Sequence, residues 1–180
     1  MNRRETKPLE MAGHITEKLD HGILLNSQAN GRFNSMVIAW GHIGIEWGKP
    51  IFVCYVREGR FTRPLIDETG TFTVSVPIER LSPRILHVCG SMSGRDVDKV
   101  TEAGLTLVES VANGVPAIAE APITLECRVI YRRPQDLSLV PADIIERYYP
   151  EGVPSEDCGS NADRHVAYYG EIVASYVLEG

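Results

Sequence analysis

Two arginines and a hydroxyl sit within six residues in Val56-Arg57-Glu58-Gly59-Arg60-Phe61-Thr62-Arg63-Pro64. The pattern reads as a strand ending at Arg57, a glycine-containing turn carrying Arg60, and a helix over Thr62 to Thr69. Thr62 is expected as N-cap, Pro64 falls in the first turn, and Gly70 stands just past the end. A helix N-terminus offers unpaired N–H groups and partial positive charge, and flanking guanidinium groups add charge-assisted bonds, so the segment suits a phosphate. An exposed turn with solvated arginines accounts for the same residues. Asp67 and Glu68 near the helix C-terminus oppose the dipole, so the helix is not tuned for stability alone.

Two further segments carry polar chemistry. In Gly31-Arg32-Phe33-Asn34-Ser35-Met36-Val37-Ile38-Ala39-Trp40-Gly41, Asn34 and Ser35 stand at the mouth of a strand ending in Trp40. An Asn amide donates and accepts in the plane of a heterocycle, and an aromatic ring covers its apolar face. A turn asparagine and a core tryptophan are the plainer reading. In Cys89-Gly90-Ser91-Met92-Ser93-Gly94-Arg95-Asp96-Val97-Asp98-Lys99, a Gly/Ser loop leads into a helix that is expected to be capped by Asp96 and to stop at Gly104. Lys99 in its first turn opposes the dipole, so either another interaction holds it or it is simply solvated. The loop lacks the glycine spacing and Lys-Ser/Thr ending of a P-loop.

The elements that must position these residues are mostly strands. Apolar runs rich in β-branched and aromatic residues occur at Gly22 to Leu25, Met36 to Trp40, Ile51 to Val56, Thr71 to Val76, Ile123 to Tyr131 and His165 to Leu178. Thr71 to Val76 and Leu125 to Tyr131 alternate in polarity, as antiparallel strands with one face on a core do. Between residues 134 and 164 the chain is rich in Pro, Gly and acidic residues, with a helical turn at Asp143 to Arg147, and reads as a long surface excursion. Residues 1–21 read as an N-terminal arm. The expectation is a single mainly-β domain over 1–180, a barrel with two short helices inserted.

A chain of 180 residues can bury a real core. A net charge of −6 excludes the basic footprint of a nucleic-acid binder, so any anion site must be local. No apolar run suits a signal peptide or a membrane span, which points to the cytoplasm. Cys54, Cys89, Cys127 and Cys158 form no CxxC pair and are expected as buried reduced thiols. Cys and His never cluster at ligand spacing, so no metal site is expected.

In this order the segments resemble the flavin reductase-like, FMN-binding split-barrel family, which includes flavoredoxin and the small flavin:NAD(P)H reductases of two-component monooxygenases. The matching pieces are Asn34 to Trp40, Gly48 to Val53 leading to Arg57, Arg60 and Thr62, Thr69 to Pro77, Ser93 to Lys99, and His165 with Gly170 in the last strand. The resemblance spans about Leu24 to Val177. It implies a split β-barrel with an FMN site: Asn34, Ser35, Met36 and Trp40 around the ring, Arg57, Arg60 and Thr62 near the phosphate, and Lys99 close by. His165 would lie near the ring or the nicotinamide, although a satisfied or exposed strand-end histidine is the alternative. The resemblance also implies a homodimer whose interface contributes to the site.

Two departures stand out. Met36-Val37 replaces a common Met-Thr, removing a hydroxyl, and Asp163-Arg164-His165 replaces Gly-Asp-His. Both bear on NAD(P)H oxidation more than on FMN binding. The implied activity is an NAD(P)H-dependent flavin reductase, or a flavoredoxin-type carrier reduced by a redox protein partner. The rival class is a non-redox module holding another anion or a haem in the same barrel. An oxidase acting on a phosphorylated vitamin shares the barrel but matches the motifs less well. No GxGxxG fingerprint is present, as expected if a nicotinamide stacks in an open cleft without a Rossmann domain.

Overall fold

Alternating side chains lay down the sheet, and glycine turns fold it back on itself. In the computed structural model, which describes residues 1–155, 157 and 159–180, the elements run β1 Asn2–Glu5, α1 Ala12–Leu19, β2 Ile23–Ala29, β3 Arg32–Ile38, β4 Gly41–Glu46, β5 Lys49–Arg57, α2 Thr62–Thr69, β6 Thr71–Val76, α3 Pro83–Ser91, α4 Lys99–Ala103, β7 Leu107–Val108, β8 Ala117–Ile118, β9 Ile123–Pro134, α5 Ala142–Tyr148 and β10 His165–Glu179. The main sheet is antiparallel in the order β3-β2-β6-β9-β10-β5-β4, with β1 paired to the C-terminal part of β10.

The two ends of that order are β3 and β4. They follow one another in sequence through Ala39 and Trp40, yet no ladder joins them, so the barrel stays split along this line. This is the split barrel the resemblance implied. Helix α2 packs against β2, β3 and β5 and sends Ile66 into the core.

Period-two burial explains the layers. Ile23 and Leu25 of β2, Phe52, Cys54 and Val56 of β5, Phe72, Val74 and Val76 of β6, and Leu125 and Cys127 of β9 fill the barrel interior. Leu24 faces the other way, into a second cluster with Ile85, Val88 and Cys89 of α3 and Ala103 of α4. The polar side of β6 is covered as well, where a single solvated face was expected. Thr73 and Ser75 are fully buried, and Thr73 donates to the Val115 carbonyl at 2.8 Å in the loop before β8.

Several expected elements shift. Strand β3 begins at Arg32 and ends at Ile38, because Asn30 and Gly31 both take positive φ (51° and 74°) in a two-residue turn that hairpins β2 onto β3. Trp40 therefore lies at the β3–β4 junction, not in a strand. Helix α2 has the expected span and ends on a left-handed Gly70. Thr62, however, is its first helical residue and not its cap. Phe61 is already helical (φ −60°, ψ −27°), and Arg63 N–H donates to the Arg60 carbonyl at 3.1 Å, so the backbone turn itself satisfies the helix entry.

The cap of α4 is Asp98 and not Asp96, since residues 93–97 form a turn of their own. Asp98 accepts from Val100 N–H at 3.1 Å and from Thr101 Oγ1 at 2.6 Å. Helices α1 and α3 were not expected from the sequence. Residues 1–21 supply β1 and α1, whose Ile15 and Leu19 are core residues. Cys54, Cys89 and Cys127 are free and buried, whereas Cys158 lies outside the described residues. Among the described residues no helix is long and apolar enough to cross a membrane.

Candidate functional site

The split opens into a cleft of about 340 Å³. It gathers Asn34, Met36 and Trp40 from β3 and the junction, Arg57, Arg60 and Thr62 from the end of β5 and the start of α2, Lys99 from α4 and His165 from β10. Ser35 is the predicted residue that does not join them. Neighbours on a strand face opposite sides, and its hydroxyl points away, donating to Asn26 Oδ1 at 2.8 Å with Ser35 fully buried.

Asn34 Nδ2 donates to Thr62 Oγ1 at 2.7 Å. A hydroxyl that accepts in this way still has its own proton to give. Asn34 Oδ1 is buried and has no partner. Gly94 closes over it: a Cβ there would run into Oδ1 and come within 2.9 Å of the Phe61 ring.

The cations are more tightly held than a solvated reading allows. Lys99 is only 5% exposed, and its ammonium donates to the carbonyls of Ser35 at 3.0 Å and Cys89 at 3.2 Å, tying β3 to α3. Arg57 is buried too, contrary to an exposed turn. Its guanidinium donates to the carbonyls of Tyr148 (2.7 Å), Asp163 (2.8 Å) and Asn161 (2.9 Å), and so pins these three residues beside the cleft. Arg60 donates to the carbonyls of Asp157 and Gly159.

Trp40 forms one end wall, 4.8 Å from the His165 ring and edge-on to Tyr148 at 5.3 Å. His165 is buried, which pushes its imidazole down to about 3. The guanidinium groups of Arg57 and Arg60 push the same way, and Asp163 opposes them. The imidazole is therefore neutral around physiological pH, and Nδ1 lies 2.9 Å from the Tyr149 hydroxyl. Among the described residues no group of three or more His, Cys, Asp or Glu could hold a metal ion.

Sequence reasoning missed Phe61 and Arg95 at the cleft and Tyr149 behind it. Arg32 and Arg95 lie over the Phe61 ring at 4.6 and 5.5 Å, and Arg95 also donates to the Gly59 carbonyl at 3.0 Å. The available signal was an aromatic residue between Arg60 and Thr62, with Arg32 and Arg95 in the two other segments already singled out. For Tyr149 it was the Tyr-Tyr-Pro ending of the helical turn at 143–147.

An antiparallel barrel split at one seam, with an aromatic, amide and cationic cleft in that seam, defines a split-barrel protein. Comparison with known proteins sharpens this. The family described as "Flavin reductase like domain" matches residues 24–179, and the chain belongs to that family. The Escherichia coli K12 protein YddH, itself uncharacterized, is 31% identical over 128 residues, covering 68% of this chain and 66% of its own length. The chain thus spans just under two thirds of that relative.

Among solved structures, the FMN-binding domain of a flavin reductases-like enzyme from Shewanella baltica superposes with a TM-score of 0.64. It is 19% identical and covers 98% of this chain and 77% of its own. Flavoredoxin from Desulfovibrio vulgaris gives 0.63 at 24% identity, covering 88% and 69%. At these identities the likeness is one of fold.

Proposed function

We propose that the cleft binds FMN and that the chain passes electrons through it, as an NAD(P)H-dependent flavin reductase or as a flavoredoxin-type carrier reduced by a partner protein. The observation that carries this reading is Asn34 Oδ1, a buried acceptor without a partner, on a cleft that Trp40, Arg60 and Arg95 also line. A flat ring bearing an N–H edge and an anionic tail matches that layout. Asn34, Met36 and Trp40 would hold the ring. The Thr62 hydroxyl, with its own proton to give, would serve the phosphate together with Arg60 and Arg95. Arg57 would act mainly by anchoring Tyr148, Asn161 and Asp163, whose three carbonyls already take its donors. When bound, the flavin supplies the redox chemistry, and the protein supplies binding, orientation and electrostatics.

A homodimer belongs to the same reading. Ile45 and Trp47 at the β4–β5 turn and Tyr131 of β9 are exposed, and the Trp47 ring meets Tyr131 edge-on at 6.2 Å. A partner protomer on this side would cover them. Light scattering showing only a 19.9 kDa species with flavin bound would remove the dimer.

The deciding experiment is an FMN titration followed by anaerobic addition of NADH or NADPH, read at the flavin absorbance band. FMN binding at least tenfold tighter than riboflavin is expected, because charge-assisted bonds to the phosphate are lost with riboflavin. Equal affinities overturn the phosphate assignment, and protein that binds no flavin overturns the whole reading. Bleaching within seconds identifies the reductase. Slow bleaching with either nucleotide identifies the carrier.

A further inference from the structure

Behind the cleft wall, three residues far apart in sequence form one hydrogen-bonded row. Tyr149 Oη donates to Gln135 Oε1 at 3.0 Å and lies 2.9 Å from His165 Nδ1. Gln135 is held in turn by its backbone N–H, which donates to the His165 carbonyl at 2.8 Å. Arg57 steadies the tyrosine: its guanidinium lies 5.0 Å from the ring centre and donates to the neighbouring Tyr148 carbonyl.

Counting protons fixes the imidazole. A phenol has a single proton, and an amide carbonyl can only accept, so the Tyr149 proton is committed to Gln135. The contact between Tyr149 and His165 must then take its proton from the ring, with Nδ1–H donating to Tyr149 Oη. The charged groups facing the ring are Arg57 and Arg60, which disfavour a second proton, and Asp163, which favours one. Tyr149 itself is buried and stays protonated. A neutral imidazole with its proton on Nδ1 carries a lone pair on Nε2. No described residue bonds to Nε2, and the ring lines the cleft beside Trp40.

We propose that Tyr149 and Gln135 are positioning residues that lock His165 in its Nδ1–H tautomer, so that Nε2 presents the cleft with a fixed acceptor for an N–H or O–H group of the bound ligand. The row orients and does not conduct. It ends on an amide oxygen, which is too weak a base to take a proton and hand it on. His165 thereby selects a donor on its ligand and gives no proton to it. The tautomer stands on the protein alone. What Nε2 meets rests on the flavin-site reading.

The test is two-bond proton–nitrogen correlation NMR of the full chain labelled at histidine nitrogens, without flavin, at about pH 7. The His165 signals are assigned among the five histidines by their loss in His165→Gln. Wild-type protein is expected to show His165 protonated at Nδ1 and bare at Nε2. Tyr149→Phe is expected to move at least half of the population to the Nε2–H form, because Nδ1 loses its acceptor. Gln135→Glu, which still accepts from Tyr149, should keep the Nδ1–H form.

A wild-type His165 protonated at Nε2 overturns the proposal whether or not any variant folds. A Tyr149→Phe spectrum identical to wild type overturns it too. Failure of the flavin reading would appear separately, as absent flavin binding with the tautomer pattern intact.

Discussion

Asn34 and Thr62 join the two sides of the cleft through one 2.7 Å hydrogen bond from amide to hydroxyl. The bond ties β3 to the first turn of α2 and fixes which way the amide faces, leaving Oδ1 as a buried acceptor without a partner. Removing the hydroxyl strands a buried Nδ2, at a cost of about 1–3 kcal/mol. Thr62→Ala is therefore expected to lower both the apo melting temperature and FMN affinity, while Thr62→Ser stays near wild type in both. Melting curves and fluorescence-quenching titrations measure the two effects. An FMN dissociation constant within about twofold of wild type, under about 0.5 kcal/mol, would remove Asn34 and Thr62 from the ligand site.

Gly94 tests the same corner from the other side. A methyl group there meets Asn34 Oδ1 and the Phe61 ring, both at the cleft. Gly94→Ala is expected to weaken FMN binding at least tenfold, because the loop must retreat or the amide must turn. Unchanged affinity in a folded Gly94→Ala protein would mean that the ligand does not reach this end.

Arg57 should behave as a clamp. Hydrogen bonds to charged groups are worth about 1.5–3 kcal/mol each, and Arg57→Ala removes three of them from the carbonyls of Tyr148, Asn161 and Asp163. Hydrogen exchange at the amides of Tyr149 and Asp163 is expected to quicken at least tenfold, with a lower melting temperature even without FMN. Arg57→Lys should rescue little, since a compact ammonium cannot span the three acceptors. Wild-type exchange at those amides in Arg57→Ala would return Arg57 to a purely ligand-facing role.

The barrel was legible because its strands carry their own period. Phe72, Val74 and Val76 alternate into the core as the sequence suggests. Helix α2 was legible from Pro64 and Gly70, although the partner of Thr62 was not, because Asn34 reaches it from a different hairpin. Eight of the nine site residues named from the sequence line the cleft. The exception was Ser35, whose strand register could not be set until the Asn30–Gly31 turn was recognised. Burial of Arg57 and the Gln135–Tyr149–His165 row were illegible for a different reason. They depend on where Gln135, Tyr148, Tyr149, Asn161 and Asp163 dock, and the polar, Pro-rich composition around them does not encode that.

Acid stability offers a last prediction, and its sign follows from His165. The imidazole is pushed down to about 3 from an ordinary 6.5, so the folded protein binds fewer protons than the unfolded chain between those values. Stability from this residue is full above about pH 6.5 and falls as the medium is acidified, by up to about 1.4 kcal/mol per pH unit, levelling out below about pH 3. A histidine paired with a carboxylate would behave in the opposite sense.

Glu17, Asp98, Asp136 and Glu171 are held below their ordinary values of 4.5 or 3.8, so their contributions are lost only further into acid. The interval from about pH 6.5 to about pH 5 therefore separates the imidazole from these carboxylates, and comparison with His165→Gln isolates its share. Urea midpoints of wild type are expected to drop across that interval, and those of His165→Gln to drop less, because glutamine has no proton to gain. Parallel pH profiles for the two proteins would show that His165 titrates freely in the fold, and would remove the neutral acceptor from the cleft wall.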